Sequence, residues 1–454
     1  MKISTEIINE NAEMVAGDYQ AALQFLAERT KFGINLGLRR IERLLELLGN
    51  PHLGVDAPHF VHVGGTNGKG SVSTMLAAIL QAAGRHTGFF SSPHLHSYRE
   101  RFRLDGQEIS RVDLVRQLAV IRPLLVQLEE QGEEAPTEFE VSTALALHYF
   151  QQRQADWAVM EVGLGGEIDS TNVIQPDLAV ITNVAMDHMD YLGHTLTEIA
   201  GVKAGIIKPG VPLLTAAQDA EVLAVLQGRA QAAGSQLLQL GRDFAYEVEK
   251  SDIDGQTFTY CDKMSGECWS GLHIRLLGEH QLANAALAAA AARRLGLPET
   301  AVRSGLAAAD WPGRLEIVSQ KPLVVLDGAH NVAGMQALSA ALRQYWPERP
   351  IVAVLGMLAD KEREAALRLL LPQLSQAVIT RVPSPRAGDW QVLAEICREY
   401  GVPCQLEEDV AAAVAAGQRL AANSAAEPLL LVTGSLYMLA DARASLLGIE
   451  QENY

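Results

Sequence analysis

A chain of 454 residues exceeds what one hydrophobic core supports, so two domains, perhaps a third, form the starting expectation. With 48% hydrophobic and 20% charged residues it can bury those cores, and a formal net charge of −17 sets it against nucleic acid or an anionic membrane as a general partner. An anionic ligand would have to be met by local positive charge. No window is long and apolar enough to cross a bilayer without a charge, and Met1-Lys-Ile-Ser-Thr-Glu6 lacks the apolar core of a signal peptide, so a cytoplasmic location is expected. Cys261, Cys268, Cys397 and Cys404 form two pairs whose spacing is not that of a zinc ribbon, and they are read as reduced thiols.

Residues 17 to 50 read as helices, with Tyr19, Leu23, Leu26 and then Leu38, Ile41, Leu44, Leu45 and Leu48 at helical spacing. The link Phe32-Gly-Ile-Asn-Leu-Gly-Leu38 reads locally as a turn with two glycines. Pro58 to Ser71 then gives an apolar strand (Phe60, Val61, Val63), a glycine-rich loop and the start of an apolar-periodic helix, Val72 to Ala83. Glycines let the backbone aim successive N–H groups at an anion, the helix N-terminus adds a partial positive charge, and Lys69 adds a full one, so a polyphosphate is the natural occupant. Ser71 could offer its hydroxyl to a metal held by that phosphate. The match to the common P-loop is imperfect, because Val63 stands where its first glycine belongs and Gly70 where a hydroxyl residue follows the lysine.

A short strand ends at Ser91-Ser92-Pro93-His94, and Arg99, Arg101 and Arg103 follow in alternation, on one face if they form a strand. A long helix with Pro123 inside it leads to Pro136-Thr-Glu-Phe-Glu140, where Thr137 and Glu140 carry the signature of a capping box. Strands at Trp157 to Val162, Leu178 to Thr182 and Val211 to Thr215 alternate with helices, which implies a mostly parallel sheet with helices on both faces. Glu161 ends the first of them, the position of a metal-binding carboxylate opposite a phosphate loop. His188, near the end of the second, suits Mg²⁺ poorly on its chemistry alone and reads more readily as structural. Residues 243 to 275 read as an appended antiparallel hairpin, and Gly278 to Asn284 opens an alanine-rich helix. The domain boundary falls at Asp310/Trp311, giving residues 1–310 and a smaller Rossmann-like α/β unit over 311–454, with strands at Leu323 to Leu326, Ile351 to Leu355, Ala377 to Thr380 and Leu429 to Val432. Two of these end in strand-to-helix turns, Asp327-Gly-Ala-His-Asn331 and Thr433-Gly-Ser435, where open sheets bind ligands. The residues alone thus indicate an enzyme of class α/β that binds a nucleoside triphosphate and a metal, with phosphoryl transfer, a hydrolysis-driven switch and a plain nucleotide-binding module all open.

The loop Gly65 to Ser71, Ser91 to His94, Glu161 to Gly166, Asp187-His188, Lys203-Ala-Gly205, Trp311 to Arg314, Asp327 to Asn331 and Thr433 to Ser435 together resemble the folylpolyglutamate/dihydrofolate synthase family of the Mur ligase superfamily, in that family's order and over nearly the whole chain. The resemblance implies an ATP-dependent amide ligase that phosphorylates a folate or pteroate carboxylate and joins L-glutamate to it, with another Mur-type amide ligase or a P-loop switch as the alternatives. It implies ATP contacts at Thr66, Asn67, Gly68, Lys69, Gly70, Ser71, Asn284, Arg314 and Asp327, one Mg²⁺ at Ser92 and Glu161, and a second at His188. Lys203 matches a lysine the family carries as a carbamate, and with Lys69 and His330 it completes the catalytic set. Ser435 is expected at the glutamate site. Asn35, Leu36, Gly37 and Leu38, Thr137, Glu138, Phe139 and Glu140, and Ile168, Asp169 and Ser170 resemble pteroate-binding elements of bifunctional members, although Asn35 stands where some have an aspartate. A monomer without nucleic-acid or membrane partners is expected.

Overall fold

The computed structural model describes residues 17–452 apart from 34 and 36, so the substrate-site expectation for Leu36 lies outside the described residues. In the first sheet β1 (His59–Gly64), β2 (Thr87–Phe90), β3 (Phe102–Leu104), β4 (Gln107–Glu108), β5 (Trp157–Glu161), β6 (Leu178–Ile181), β7 (Leu213–Thr215) and β8 (Leu237–Gln239) lie in the order β4-β3-β2-β5-β1-β6-β7-β8. The pairs β2–β3 and β3–β4 are antiparallel and the rest parallel. Val61, Val63 and Val159 pack into the core built on helices 69–82 and 279–294, whereas Phe60, Ala158 and Met160 pack into the core built on helices 39–47, 111–130 and 138–152. Successive strand residues therefore serve opposite faces, which is why these strands read as unbroken apolar runs.

An antiparallel sheet of β9 (Phe244–Asp252), β10 (Gly255–Asp262) and β11 (Cys268–Ile274) packs on helix 279–294 through Phe258, Tyr260 and Leu272. It has three strands where the sequence promised a hairpin. Its β10–β11 register sets Cys261 opposite Cys268, and the two form a disulfide, which corrects the reading of four reduced thiols; Cys397 and Cys404 are free. The cross-strand pairing brings together sulfurs whose spacing in sequence gave no sign of it.

The last sheet contains β12 (Glu316–Gln320), β13 (Leu323–Asp327), β14 (Ile351–Leu355), β15 (Leu374–Ile379), β16 (Cys404–Leu406) and β17 (Leu429–Thr433), ordered β12-β13-β17-β14-β15-β16, with only β12 antiparallel. It too is covered on both faces: Val325, Ala353 and Leu431 point into one core, Val324, Val352 and Leu430 into the other. The arginine alternation does not lie on one strand. Arg99 and Arg101 belong to a 3₁₀ turn, Tyr98–Arg101, which opens on a Ser97–Glu100 capping box, and only Arg103 is on β3. Among the described residues, no helix is long and apolar enough to cross a membrane.

Candidate active site

β1 is the fifth strand of eight, and the loop after it forms the floor of the site. Gly65 has φ 135°, and a Cβ there would stand 2.0 Å from the Thr182 hydroxyl oxygen, so this turn admits glycine alone. The neighbouring β6 end fixes the loop: Thr66 N donates to Asn183 O at 2.9 Å, Asn67 N to Asn183 Oδ1 at 2.9 Å, and Thr182 Oγ1 to Asn67 O at 2.7 Å. Helix 69–82 starts without a side-chain cap, leaving its first N–H groups to an anion. Lys69 Nζ rests on the Gly65 and Thr66 carbonyls at 3.2 and 3.1 Å. The departure from the common spelling has a packing cause, since a Cβ on Gly70 would meet Trp311 Nε1 at 2.7 Å. Residues 65 to 71 line a cavity of about 400 Å³.

Register places Glu161 beside Val63, directly opposite the loop. Its carboxylate is buried, and Oε2 has no hydrogen-bond partner. Burial pushes its pKa up to about 7 even with Lys69 and Arg314 opposing. A buried, unsatisfied carboxylate oxygen facing a phosphate loop, with the Ser92 side of the same cavity beside it, fits a hard cation. Among the described residues no cluster of three or more His, Cys, Asp or Glu could hold a metal on its own, so such an ion would draw on hydroxyl and phosphate oxygens, as Mg²⁺ does. Lys203 is buried on the same wall, its Nζ donating to Gly65 O at 3.0 Å, and burial with Lys69 nearby lowers its pKa to about 7.

The far wall belongs to helix 279–294 and the last sheet. Asn284 donates to Gln281 Oε1 at 3.0 Å, and Arg314 and Asp327 line the cavity. Asp327 accepts the Leu315 and Ala329 amides at 2.9 and 2.8 Å, and burial raises its pKa against the pull of Arg314. His330 donates from Nδ1 to Gly328 O at 2.8 Å, which fixes its tautomer and leaves Nε2 as a bare lone pair. Burial lowers the pKa of both His330 and His188 to about 4, so each ring is neutral at pH 7. The two halves meet at Asp187: Lys361 Nζ lies 2.6 Å from Oδ1, Asn331 Nδ2 lies 2.7 Å from Oδ2, and Asn331 also joins Asn67.

A second cavity, about 360 Å³, shares Ser92, Gly163, Leu164, His188 and His330 with the first. Of the substrate residues expected from sequence, Asn35, Thr137, Glu138, Phe139, Ile168, Asp169 and Ser170 line it, as does Ser435 at the start of the last helix. Gly37, Leu38 and Glu140 line neither cavity. Glu140 is occupied in the capping box, accepting from Thr137 N at 2.7 Å, and pairs with Arg40. Asp169 is likewise engaged locally, taking Leu164 N at 2.7 Å and both donors of Thr171.

Two family models cover the chain, the Mur ligase middle domain over residues 63–292 and the Mur ligase glutamate ligase domain over residues 313–436. Folylpolyglutamate synthase of Lacticaseibacillus casei is 40% identical over 90% of this chain and 94% of its own length. Dihydrofolate synthase/folylpolyglutamate synthase of Bacillus subtilis is 35% identical over 94% and 99%. The chain belongs to the folylpolyglutamate/dihydrofolate synthase family of Mur ligases. A folylpolyglutamate synthase of Mycobacterium tuberculosis solved in complex with ADP superposes with TM-score 0.88 at 34% identity, covering 96% of this chain and 100% of that one. Membership makes the chain an ATP-dependent, amide-forming ligase, and the switch reading falls away.

Within this folylpolyglutamate/dihydrofolate synthase scaffold, sequence reasoning missed Lys361 and Arg386, which enter the second cavity from the loops after β14 and β15. The strand-end rule applied at Asp327 and Thr433 could have found both. Asp187 belongs to a sequence motif that suggested no role for it, and His280, an exposed residue on the wall of the first cavity, gave no signal of its own.

Proposed function

We infer that this protein joins the amino group of L-glutamate to the terminal carboxylate of a folate at the expense of ATP, and that it also accepts dihydropteroate. The observation that carries the reading is the unpartnered Oε2 of buried Glu161, which lines the first cavity together with Lys69, the loop and Ser92, the last of which also lines the second cavity. Support for ATP comes from the loop geometry and from the ADP complex of the M. tuberculosis relative.

In this reading the amides of residues 66–71 and Lys69 hold the triphosphate, while Asn284, Arg314 and Asp327 hold the nucleotide from the other side. Glu161 and Ser92 hold one Mg²⁺ and His188 a second; bound Mg²⁺ supplies neutralisation of phosphate charge. Thr137, Phe139, Ile168, Asp169 and Ser170 wall the pteridine-bearing substrate so that its carboxylate reaches the γ-phosphate, becoming an acyl phosphate with a competent leaving group. Ser435, Lys361 and Arg386 receive the carboxylates of glutamate, and the bare Nε2 of His330 takes the proton its ammonium must lose before attack. Lys203 serves as a carbamate, which turns a cation into an oxygen ligand. The protein acts as a cytoplasmic monomer.

The deciding experiment is phosphate release with ATP and L-glutamate, comparing tetrahydrofolate, dihydropteroate and a UDP-muramyl precursor as acceptors. Release with the first two and none with the third is expected. Release independent of any acceptor, or only with the muramyl compound, contradicts the assignment.

A further inference from the structure

The loops that bring Lys361 and Arg386 to the second cavity are irregular, yet a single side chain ties them together. Arg363 Nε donates to Leu358 O at 2.9 Å, Nη2 to Met357 O at 2.9 Å and to Ala387 O at 2.5 Å, and Nη1 to Asp389 O at 2.6 Å. Two of these carbonyls belong to the loop after β14 and two to the loop after β15. The same loops meet through Ala359 N donating to Arg386 O at 2.9 Å and through the Asp360–Arg386 ion pair at 2.5 Å. Arg363 does this from an unfavourable place. It is the first residue of helix Arg363–Leu370, where the helix dipole disfavours a cation, and it is half-buried. A guanidinium presents five N–H groups in a rigid plane, so it alone among side chains can bridge four carbonyls on two loops; an ammonium cannot reproduce that fork.

We propose that Arg363 is a positioning residue that sets the spacing of Lys361 and Arg386 and thereby the affinity for the carboxylate-bearing amino-acid substrate. The inference rests on the ligase reading. Arg363 touches no reacting atom, and neither loop lines the nucleotide cavity, which they meet through the Lys361–Asp187 pair.

The test is steady-state phosphate release by the full-length wild type and by Arg363→Lys, Arg363→Gly and Lys361→Met, varying ATP, folate acceptor and L-glutamate in turn. Arg363→Lys should raise the KM for glutamate about tenfold, the size of one charged hydrogen bond, with the KM for ATP and kcat at saturating glutamate little changed. Millimolar guanidinium should restore the glutamate KM of Arg363→Gly, and methylammonium should not. Lys361→Met should raise the same KM. An unchanged glutamate KM in Arg363→Lys, parallel losses for all three substrates, or an Arg363→Gly defect indifferent to guanidinium would overturn the inference while leaving the ligase reading intact. No turnover by the wild type overturns the ligase reading and the inference with it.

Discussion

Asp187 Oδ1 and Lys361 Nζ lie 2.6 Å apart, one from the loop after β6 and the other from the loop after β14, with side chains only 7% and 6% exposed. A buried ion pair of this kind adds little net stability, but removing one partner strands the other, at a cost of about 3–5 kcal/mol. Burial opposes the charged form of Asp187, yet Lys361, His188 and His330 outweigh it and hold the carboxyl well below the usual range. Stability from such a group is present above the unfolded carboxyl pKa of about 4 and is lost as pH falls through that value toward the folded one. Asp187→Asn should therefore lose stability at pH 7 and lose less than the wild type on going from pH 7 to pH 3. Urea unfolding at the two pH values checks this; parallel losses in both proteins would contradict it.

Glu161 has the opposite sign. Its folded pKa of about 7 lies above that of an exposed glutamate, so the ionised group destabilises the fold increasingly as pH rises from about 4 to 7. Glu161→Gln should consequently raise Tm at pH 8 in the absence of Mg²⁺ and leave it nearly unchanged at pH 4, while lowering Mg²⁺-dependent turnover by orders of magnitude. In the wild type, Mg²⁺ affinity should climb with pH through about 7, because the ion competes with the proton for the same oxygen. A variant that loses turnover and stability together at pH 8 would place Glu161 in the structure and not in the metal site.

The first sheet was legible because its strands are buried on both faces, and the loop at Gly65–Ser71 announced itself through glycines that the close approach of Thr182 and Trp311 requires. The place of Glu161 beside the loop was legible because it ends a strand, and the capping box of Thr137 and Glu140 because its chemistry is local. The remainder depended on long-range placement. Nothing near Asp187 in sequence indicates that Lys361 will reach it, and the opposition of Cys261 and Cys268 depends on a register that only the folded β10–β11 pair defines. The arginines at 99, 101 and 103 misled because alternation implies a strand only where the backbone is extended. Here Ser97 caps a turn, and Arg101 leaves the surface to pair with Glu138 at 3.0 Å.

A lysine whose pKa is lowered to about 7 by burial, with Lys69 adding to the effect, is substantially neutral at pH 8 and nucleophilic toward carbon dioxide. Lys203 should therefore be carbamylated in bicarbonate buffer. Isotope-labelled bicarbonate should give a carbamate carbon signal that Lys203→Met lacks, and bicarbonate-depleted enzyme should recover activity on adding bicarbonate. A signal that persists in Lys203→Met, or activity indifferent to bicarbonate, would remove the modification from the mechanism.

Gly70 follows the loop lysine where the common pattern has a hydroxyl residue, and the nearest obstacle to a side chain there is the Trp311 indole, whose atoms stand 2.7, 2.8 and 2.9 Å from the point a Cβ would occupy. Trp311 precedes Pro312, Gly313 and Arg314, so displacing the ring would shift the arginine that lines the first cavity from the opposite wall. Gly70→Ser, which restores the common spelling, should thus impair the enzyme: the KM for ATP should rise and Tm should fall, within the roughly 1–3 kcal/mol typical of overpacking. Trp311→Phe trims the ring at the nitrogen that makes the closest approach, so the double variant Gly70→Ser/Trp311→Phe should recover part of both losses. If Gly70→Ser binds ATP as the wild type does, or if the smaller ring gives no relief, contact between the loop and the interdomain segment does not govern the choice of glycine.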